Sequence, residues 1–434
     1  MRHFLVAGVA LAVLAGVPLL LPAAAAHPID VGLAPYAADP EHPWNRLHQA
    51  LFVRETPDGH RVVHTTDPLL YRGGTFLLDG DSHRKALAAL DQFLDRSADR
   101  LIDDPLKRLY FQHDLWSAFD YAAWYPDDWV FKSKYEPAAL AIRTRLARAV
   151  GRLALADRAL AALPDNYELA VKSKQYPAAY DPAHPEQPFL PPDLFDPSGP
   201  WVRFHEQTAS PMARKHYDGA GGRAAHVIFL RLPGGREATE RYVTELRGEE
   251  PFLKESHRFS VKQFPPGTMV AMVRRALTVD GSAKIRVTPL TELVQIRVYR
   301  RIPNDPEAHH TGDVGEQDAS EFVLDRAKLF AGQPGLVAVG HDEAAAPLFG
   351  RSEMSDSFER NRGPLTPGMP QLKTCIQCHS APGVYSVLCL ERGLKRSDAR
   401  VFRTYDWDVE LNYTVHAKAA QFDWGLLQGK LEAK

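Results

Sequence analysis

The reactive chemistry of this chain concentrates in Thr374-Cys375-Ile376-Gln377-Cys378-His379. Two thiols three positions apart can lie on the same side of a short helical turn, and an imidazole follows directly. Three chemistries use such a set. A dithiol can cycle to a disulfide. Two thiolates and an imidazole can form part of a zinc site. Two thiols can also add across the two vinyl groups on one edge of a porphyrin, with the neighbouring imidazole under the ring centre. Zinc needs four ligands, and only one further cysteine exists, Cys389, whose neighbours Val387, Leu388 and Leu390 suit a buried free thiol. A redox pair normally follows a strand in a βαβ unit, and it leaves the adjacent histidine unexplained. With 3 cysteines in 434 residues the full pattern rarely arises by chance, so porphyrin attachment is the leading expectation.

The N-terminus carries an address. Met1-Arg2-His3 precedes an apolar run from Phe4 to Leu21, then Pro22 and the alanines Ala23 to Ala26. A positive start, an apolar stretch and a small-x-small site at Ala24-x-Ala26 make a secretory signal peptide. The competing reading is an uncleaved anchor, because a spanning helix needs about 20 residues. Gly8, Gly16 and Pro18 weaken it as a stable span. Cleavage removes Arg2 and no acid, taking the net charge from -2 to -3. Export to the periplasm or beyond suits the motif, because bacterial c-type haem is attached after translocation.

On these residues the chain resembles c-type cytochromes. The resemblance covers the motif and about 60 residues around it, not the preceding 340. It implies one covalent haem c, with Cys375 and Cys378 in thioether bonds and His379 as the proximal iron ligand. It also implies a redox partner protein. The family pattern usually adds a methionine tens of residues after the motif, and here no methionine follows His379. His416, in Tyr413-Thr414-Val415-His416-Ala417, is the first alternative for the sixth position, Met354 the second and a vacant site the third. Met369 is too close to Cys375 to wrap over the far face, and His341 is a further upstream candidate. A histidine pair would lower the potential relative to His/Met, and a vacant position would admit peroxide or small ligands.

The elements that must position this site read as an α+β fold. Ser82 can cap a helix with Leu87, Leu90, Phe93 and Leu94 on one side. Asp104-Pro105 opens a second helix, with Leu106, Leu109, Tyr110, Trp116 and Phe119 buried. Glu136-Pro137 opens a third that stops near Leu163-Pro164. Short extended pieces fall at 50–53 and 61–63. Prolines crowd the stretch from Tyr176 to Pro211. Beyond it lie strand patterns at 225–230, 269–279, 284–287, 293–302, 322–324 and 336–339, with a helix over 237–246. Val294, Ile296 and Val298 alternate with Gln295, Arg297 and Tyr299, the pattern of a half-buried antiparallel strand. The expected layout is 1–26 signal peptide, 27–175 mainly helical, 176–211 a proline-rich connection, 212–345 a mostly antiparallel sheet domain with a helix, and 346–434 a small helical haem segment. No 20 to 50 residue repeat suggests a solenoid or propeller.

Composition narrows the rest. Apolar residues at 45% and charged residues at 24% are the proportions of a water-soluble, folding chain. Lys plus Arg is 52 against 54 Asp plus Glu, which argues against a nucleic-acid coat and against a disordered acidic tail. A membrane enters only if the N-terminal segment stays uncleaved. His309-His310 with Asp313 suits a solvated loop, since neighbours on an extended segment face apart. His113-Asp114 cannot pair as helix neighbours. Gly219-Ala220-Gly221-Gly222 and Gly234-Gly235 suit tight turns. Trp116, Tyr121, Trp124, Tyr125 and Trp129 read as core. The sequence thus points to electron transfer through haem iron. The alternatives are a haem-dependent peroxidase or oxidase with a pocket in the upstream modules, and an exported scaffold with a structural or sensory haem.

Overall fold

The structure is a computed structural model, and it describes residues 35–55, 61–63, 75–123, 129–206, 213, 216–217, 221–246, 262–303, 313, 315–340, 372, 379, 382–388, 402–403 and 407–433. Its architecture is α+β, with a helical layer packed beside an open antiparallel sheet. The proposed signal segment lies outside the described residues. No helix among the described residues is long and apolar enough to cross a membrane.

The helical layer comprises α1 (Pro43–Phe52), α2 (Gly80–Asp95), α3 (Pro105–Ala123) and α4 (Trp129–Leu153). A two-stranded ribbon, β1 (Val53–Glu55) with β2 (Arg61–Val63), follows α1. Helix α3 begins where Asp104 Oδ1 accepts the Leu106 and Lys107 amides at 2.8 and 3.2 Å, with Pro105 in the first turn. From Leu109 to Ala123 every residue except His113 is buried, so α3 is the central rod of the layer rather than a surface helix. Gln112 stitches it to its neighbours. Its Nε2 donates to the Val150 carbonyl in α4 and to the Val279 carbonyl in the sheet, at 3.1 and 2.8 Å.

Two helix boundaries differ from the sequence reading. Helix α2 is capped by Asp79, and Ser82 sits inside its first turn. Helix α4 starts at Trp129 and runs through Pro137. Proline there removes one backbone hydrogen bond, and the Arg143–Glu136 ion pair at 2.6 Å spans the two turns that contain it. The helix also stops early, at Leu153. Leu155 leaves it to bridge Asp280, and its carbonyl accepts the Gly281 amide at 3.1 Å. Short helices α5 (Asp157–Ala161) and α6 (Asn166–Ser173) follow.

The main sheet contains β3 (Val202–Arg203), β5 (Ala224–Arg231), β6 (Thr268–Val279), β7 (Ile285–Arg301), β8 (Glu316–Leu324) and β9 (Leu336–Ala338), in that spatial order. Every neighbouring pair is antiparallel. The pieces expected at 284–287 and 293–302 are one strand, β7, whose register against β6 shifts near Arg275. Helix α7 (Gly235–Leu246) connects β5 towards β6, and α8 (Arg326–Phe330) connects β8 to β9. A small ribbon pairs β4 (His205–Glu206) with β10 (Phe402–Arg403). Near the C-terminus lie α9 (Val384–Leu388), α10 (Trp407–Ala419) and α11 (Phe422–Glu432).

Both faces of the sheet are covered, which corrects the half-buried reading of β7. One face presents Val227, Phe229, Ala271, Val273, Val294, Ile296 and Val298 to the proline-rich stretch, through Phe189, Leu190, Leu194 and Trp201. That stretch is therefore a covering layer, fixed by burial of its aromatic and leucine side chains. The opposite face carries Ile228, Leu230, Val270, Met272 and Tyr299 and meets α7 and α9. Gln295, Arg297 and Glu321 on this second face are buried at 5%, 5% and 2% exposure, although the sequence pattern suited them to solvent.

A buried polar cluster ties α1 to the layer. Asp114 accepts a hydrogen bond from the Tyr36 hydroxyl and two from Arg326 Nη1, at 2.8 and 2.9 Å, and lies 3.9 Å from His48. Burial pushes the His48 imidazole down to about 4, with Asp114 opposing and Arg326 reinforcing. An unfolded histidine takes its proton near 6.5. The contribution of His48 is therefore complete above about pH 6.5 and lost as pH falls towards 4, worth roughly 3 kcal/mol in all. Urea melts at pH 7 and pH 4.5 should show wild type losing clearly more stability than His48→Phe over this interval. Equal losses would contradict the assignment.

Candidate metal centre

His379, the last residue of the Cys-x-x-Cys-His motif, is held by its backbone and its ring. Its carbonyl accepts from Gln317 Nε2 on β8 at 2.8 Å and from Ser386 Oγ on α9 at 2.9 Å. Its Nδ1 lies 2.8 Å from the Ser386 carbonyl oxygen. A carbonyl can only accept, so Nδ1 carries a hydrogen, and in the neutral ring Nε2 then carries the lone pair. This is the tautomer in which an imidazole ligates metal through Nε2 while a second-layer carbonyl fixes its orientation.

Ser386 is itself fully buried, and its Oγ also accepts from Tyr299 at 3.1 Å and Arg297 Nη1 at 3.4 Å. Arg297 Nη2 donates to Gln295 Oε1 at 2.7 Å, and Gln295 Nε2 donates to Glu321 Oε2 at 3.2 Å. The polar residues of β7 thus form the floor under α9. The helix is pinned at its start as well. Gln263 Oε1 accepts the Val384 amide at 2.9 Å, and Gln263 Nε2 donates to the Pro382 carbonyl at 3.1 Å. Gly383 between them has φ +56°, and the Gln263 amide occupies the place a Cβ would take. Only glycine suits both conditions.

A second imidazole lies beside this one. The His216 and His379 ring centroids are 6.1 Å apart with planes inclined by 22°. His226 on β5 is also a neighbour of His216, with centroids 6.0 Å apart and planes inclined by 39°. The His216 amide donates to the Ala213 carbonyl at 2.8 Å. Burial, followed by the positive charges of Arg297 and Arg274, pushes the His216 imidazole down to about 4. Burial, with His216 and Arg274 adding to it, holds His226 well below its ordinary value. Both rings are therefore neutral near pH 7, the form that binds metal. His226 Nδ1 is buried without a hydrogen-bond partner. The His226, His216 and His379 rings are thus successive neighbours, and the last of them completes the thiol motif.

Other candidates from the sequence fall elsewhere. Cys375, Cys378, Cys389, His341, Met354 and Met369 lie outside the described residues, as do His309 and His310. His416 is on α10 with its side chain exposed. Asp313 pairs with Arg301 at 2.5 Å. His113 Nε2 lies 3.3 Å from the Arg223 carbonyl, away from the Asp114 cluster. Trp116 and Tyr121 are core as expected. Among the described residues, no group of three His, Cys, Asp or Glu side chains is arranged as a conventional cation cage.

His216 and His226 escaped the sequence reading. Each is a lone histidine, and nothing in its neighbours marks it as a ligand. The one available signal was His226 inside the otherwise apolar run Ala224–Leu230. A polar ring at the centre of a buried strand asks for a partner. The donors present suit haem iron, which takes imidazole nitrogen on its axial positions. No family model, no curated protein and no solved structure matches this chain.

Proposed function

We propose that this chain is an exported, mono-haem c-type cytochrome-like protein that carries out electron transfer. The observation that carries the reading is the hydrogen bond between His379 Nδ1 and the Ser386 carbonyl, at 2.8 Å. It prepares Nε2 of the motif histidine as a ligand. Cys375 and Cys378 would hold one haem c by thioether bonds, and the group would supply a ferrous/ferric couple. The Ser386 carbonyl orients the His379 ring, and Gln317 and the Ser386 hydroxyl hold its backbone carbonyl. Buried Ile228, Leu230, Val270 and Met272 keep water from the adjacent sheet face, and burial is one of the means by which a protein sets a haem potential. Electron transfer implies a redox partner protein. The near balance of acids and bases speaks against a nucleic-acid partner. The export reading rests on residues 1–26, and membrane attachment would follow only from an uncleaved segment.

The test is spectroelectrochemistry of protein matured in a bacterium that attaches c-type haem, with stopped-flow mixing against a small periplasmic cytochrome. A reversible one-electron wave and fast exchange are expected. Rapid carbon monoxide binding to the reduced protein, with peroxide turnover, would instead make the protein a haem oxidoreductase. Absence of any redox wave from pigmented protein would leave a structural or sensory haem.

A further inference from the structure

We infer that Asp120 and Asp423 form a proton-binding site, in which one hydrogen on Asp120 Oδ1 is shared with Asp423 and locks the C-terminal helices α10 and α11 onto α3. The inference needs no haem and stands apart from the redox reading. Both carboxylates touch one ammonium: Lys418 Nζ lies 2.7 Å from Asp120 Oδ2 and 2.5 Å from Asp423 Oδ2. The two carboxyl groups are also within side-chain hydrogen-bond reach of each other. Carboxylates in contact keep a proton that an isolated one releases, because two like charges cannot both persist at that distance.

The surroundings decide which of the two carries it. Asp120 is fully buried, and its Oδ1 receives no hydrogen bond from the protein, although a bare carboxylate oxygen is costly to bury. Lys418 and Arg223 both donate to Oδ2 instead. Asp423 keeps 12% of its side chain exposed, so it bears a charge at lower cost and acts as the acceptor. Lys418 has four acceptors for three hydrogens, so it keeps a full set when Asp120 is neutral. Arg223 keeps Ser117 Oγ at 3.3 Å. The other cations beside this half of α3 are engaged elsewhere, Arg143 on α4 with Glu136 and Arg54 on β1 over the Phe76 ring. Burial, with Asp423 adding to it, lifts the Asp120 carboxyl to about 7 against the pull of Lys418 and Arg223.

The lock joins elements far apart in order. Lys418 reaches the Gly221 carbonyl and Gln421 Oε1, and Gln421 Nε2 donates to the Tyr217 hydroxyl at 3.3 Å, so the approach to β5 is fastened as well. Trp424 on α11 packs on Trp116 of α3, with centroids 5.6 Å apart. Opening the joint hydrates Asp120 and returns it to its ordinary value of 3.8. The closed form then holds a proton that the open form gives up. Opening therefore becomes easier as pH rises from about 4 to about 7 and levels off above that.

The test uses the full-length protein with isotope-labelled aspartate. Infrared difference spectra of wild type between pH 6 and pH 8.5 should show one protonated-carboxyl band that vanishes at the higher pH. Asp120→Asn, which has the shape of the neutral acid and can donate to Asp423, should abolish the band. Hydrogen exchange of the α10 and α11 amides, corrected for its intrinsic pH dependence, should show protection falling by up to about 100-fold from pH 5 to pH 8 in wild type. In Asp120→Asn that protection should stay high and flat. Wild type with no protonated aspartate at pH 6, or a band that survives in Asp120→Asn, overturns the proton site. A wild-type band with pH-independent protection, or lost protection in Asp120→Asn at pH 6, overturns the lock. The wild-type measurements decide even if the variant fails to fold.

Discussion

A Cys375→Ser/Cys378→Ser double variant is expected to lose all covalent pigment. Thioether attachment needs a sulfur nucleophile at each vinyl group, and a serine hydroxyl does not add to an alkene under maturation conditions. Wild type should keep its colour through denaturation, give a pyridine haemochrome of c type, and retain haem when extracted with acidified organic solvent. The double variant should release any residual haem into that solvent. Each single variant should keep one bond and show a shifted haemochrome band. Cys389→Ser should behave as wild type, because that thiol has no place in the motif. Colourless wild type with both motif thiols open to alkylation would remove the redox assignment. So would a pigment indifferent to both substitutions.

Replacing Lys418 by methionine is expected to destabilise the fold by about 3–5 kcal/mol at pH 8. Lys418 on α10 is fully buried. Its Nζ has four acceptors within hydrogen-bond distance for its three hydrogens: Asp120 Oδ2 on α3 at 2.7 Å, Asp423 Oδ2 on α11 at 2.5 Å, and the Gly221 carbonyl and Gln421 Oε1, both at 2.9 Å. Arg223 also donates to Asp120, so two cations and two carboxylates balance inside the protein. Methionine matches the length of the lysine stem but leaves two carboxylates with one cation. Burial already lifts the Asp120 carboxyl to about 7 against the pull of Lys418, with Asp423 adding to the rise. Burial also works against ionisation of Asp423, but Lys418, Asp120 and Arg223 together hold it below the usual range.

The sign of the pH effect follows. Removing the ammonium raises both carboxyl groups in the folded state. An acid raised above its unfolded value loses stability as pH increases through the window between the two values. The penalty of Lys418→Met should therefore shrink between pH 8 and pH 5. Adding Asp120→Asn should restore part of the loss, and a double-mutant cycle in urea measures the coupling. An equal penalty at both pH values, or one below about 1 kcal/mol, would show that the quartet does not act as a charged unit. Because Gln421 links Lys418 to the Tyr217 hydroxyl, the substitution should also loosen the turn bearing His216.

Much of the architecture was readable from periodicity and capping. Asp104-Pro105 marked the start of α3, because proline lacks the amide that the first turn cannot use and aspartate accepts two that it leaves over. The strands β5, β6 and β9 fell where β-branched runs placed them. Failures had local causes. Pro137 read as a helix opening, yet packing of α4 on α3 outweighs one missing hydrogen bond. Gln295 and Arg297 read as solvated, because alternation tells that a strand has two unlike faces and not what covers the polar one. The cover over Arg297 includes Ser386 on α9, which arrives 89 residues later.

The motif from Cys375 to His379 is local chemistry, set by residue type and spacing within one turn of chain, so the sequence alone determined the expectation of attached haem and of its first ligand. Spacing along a chain says nothing about which distant side chain returns to the same place. The meeting of His216 with His379, the burial of the β7 polar row and the closing of the Lys418 quartet each depend on packing between elements far apart in order. Those were decided by the tertiary structure, because burial and contact are properties of the folded surface and not of neighbours in sequence.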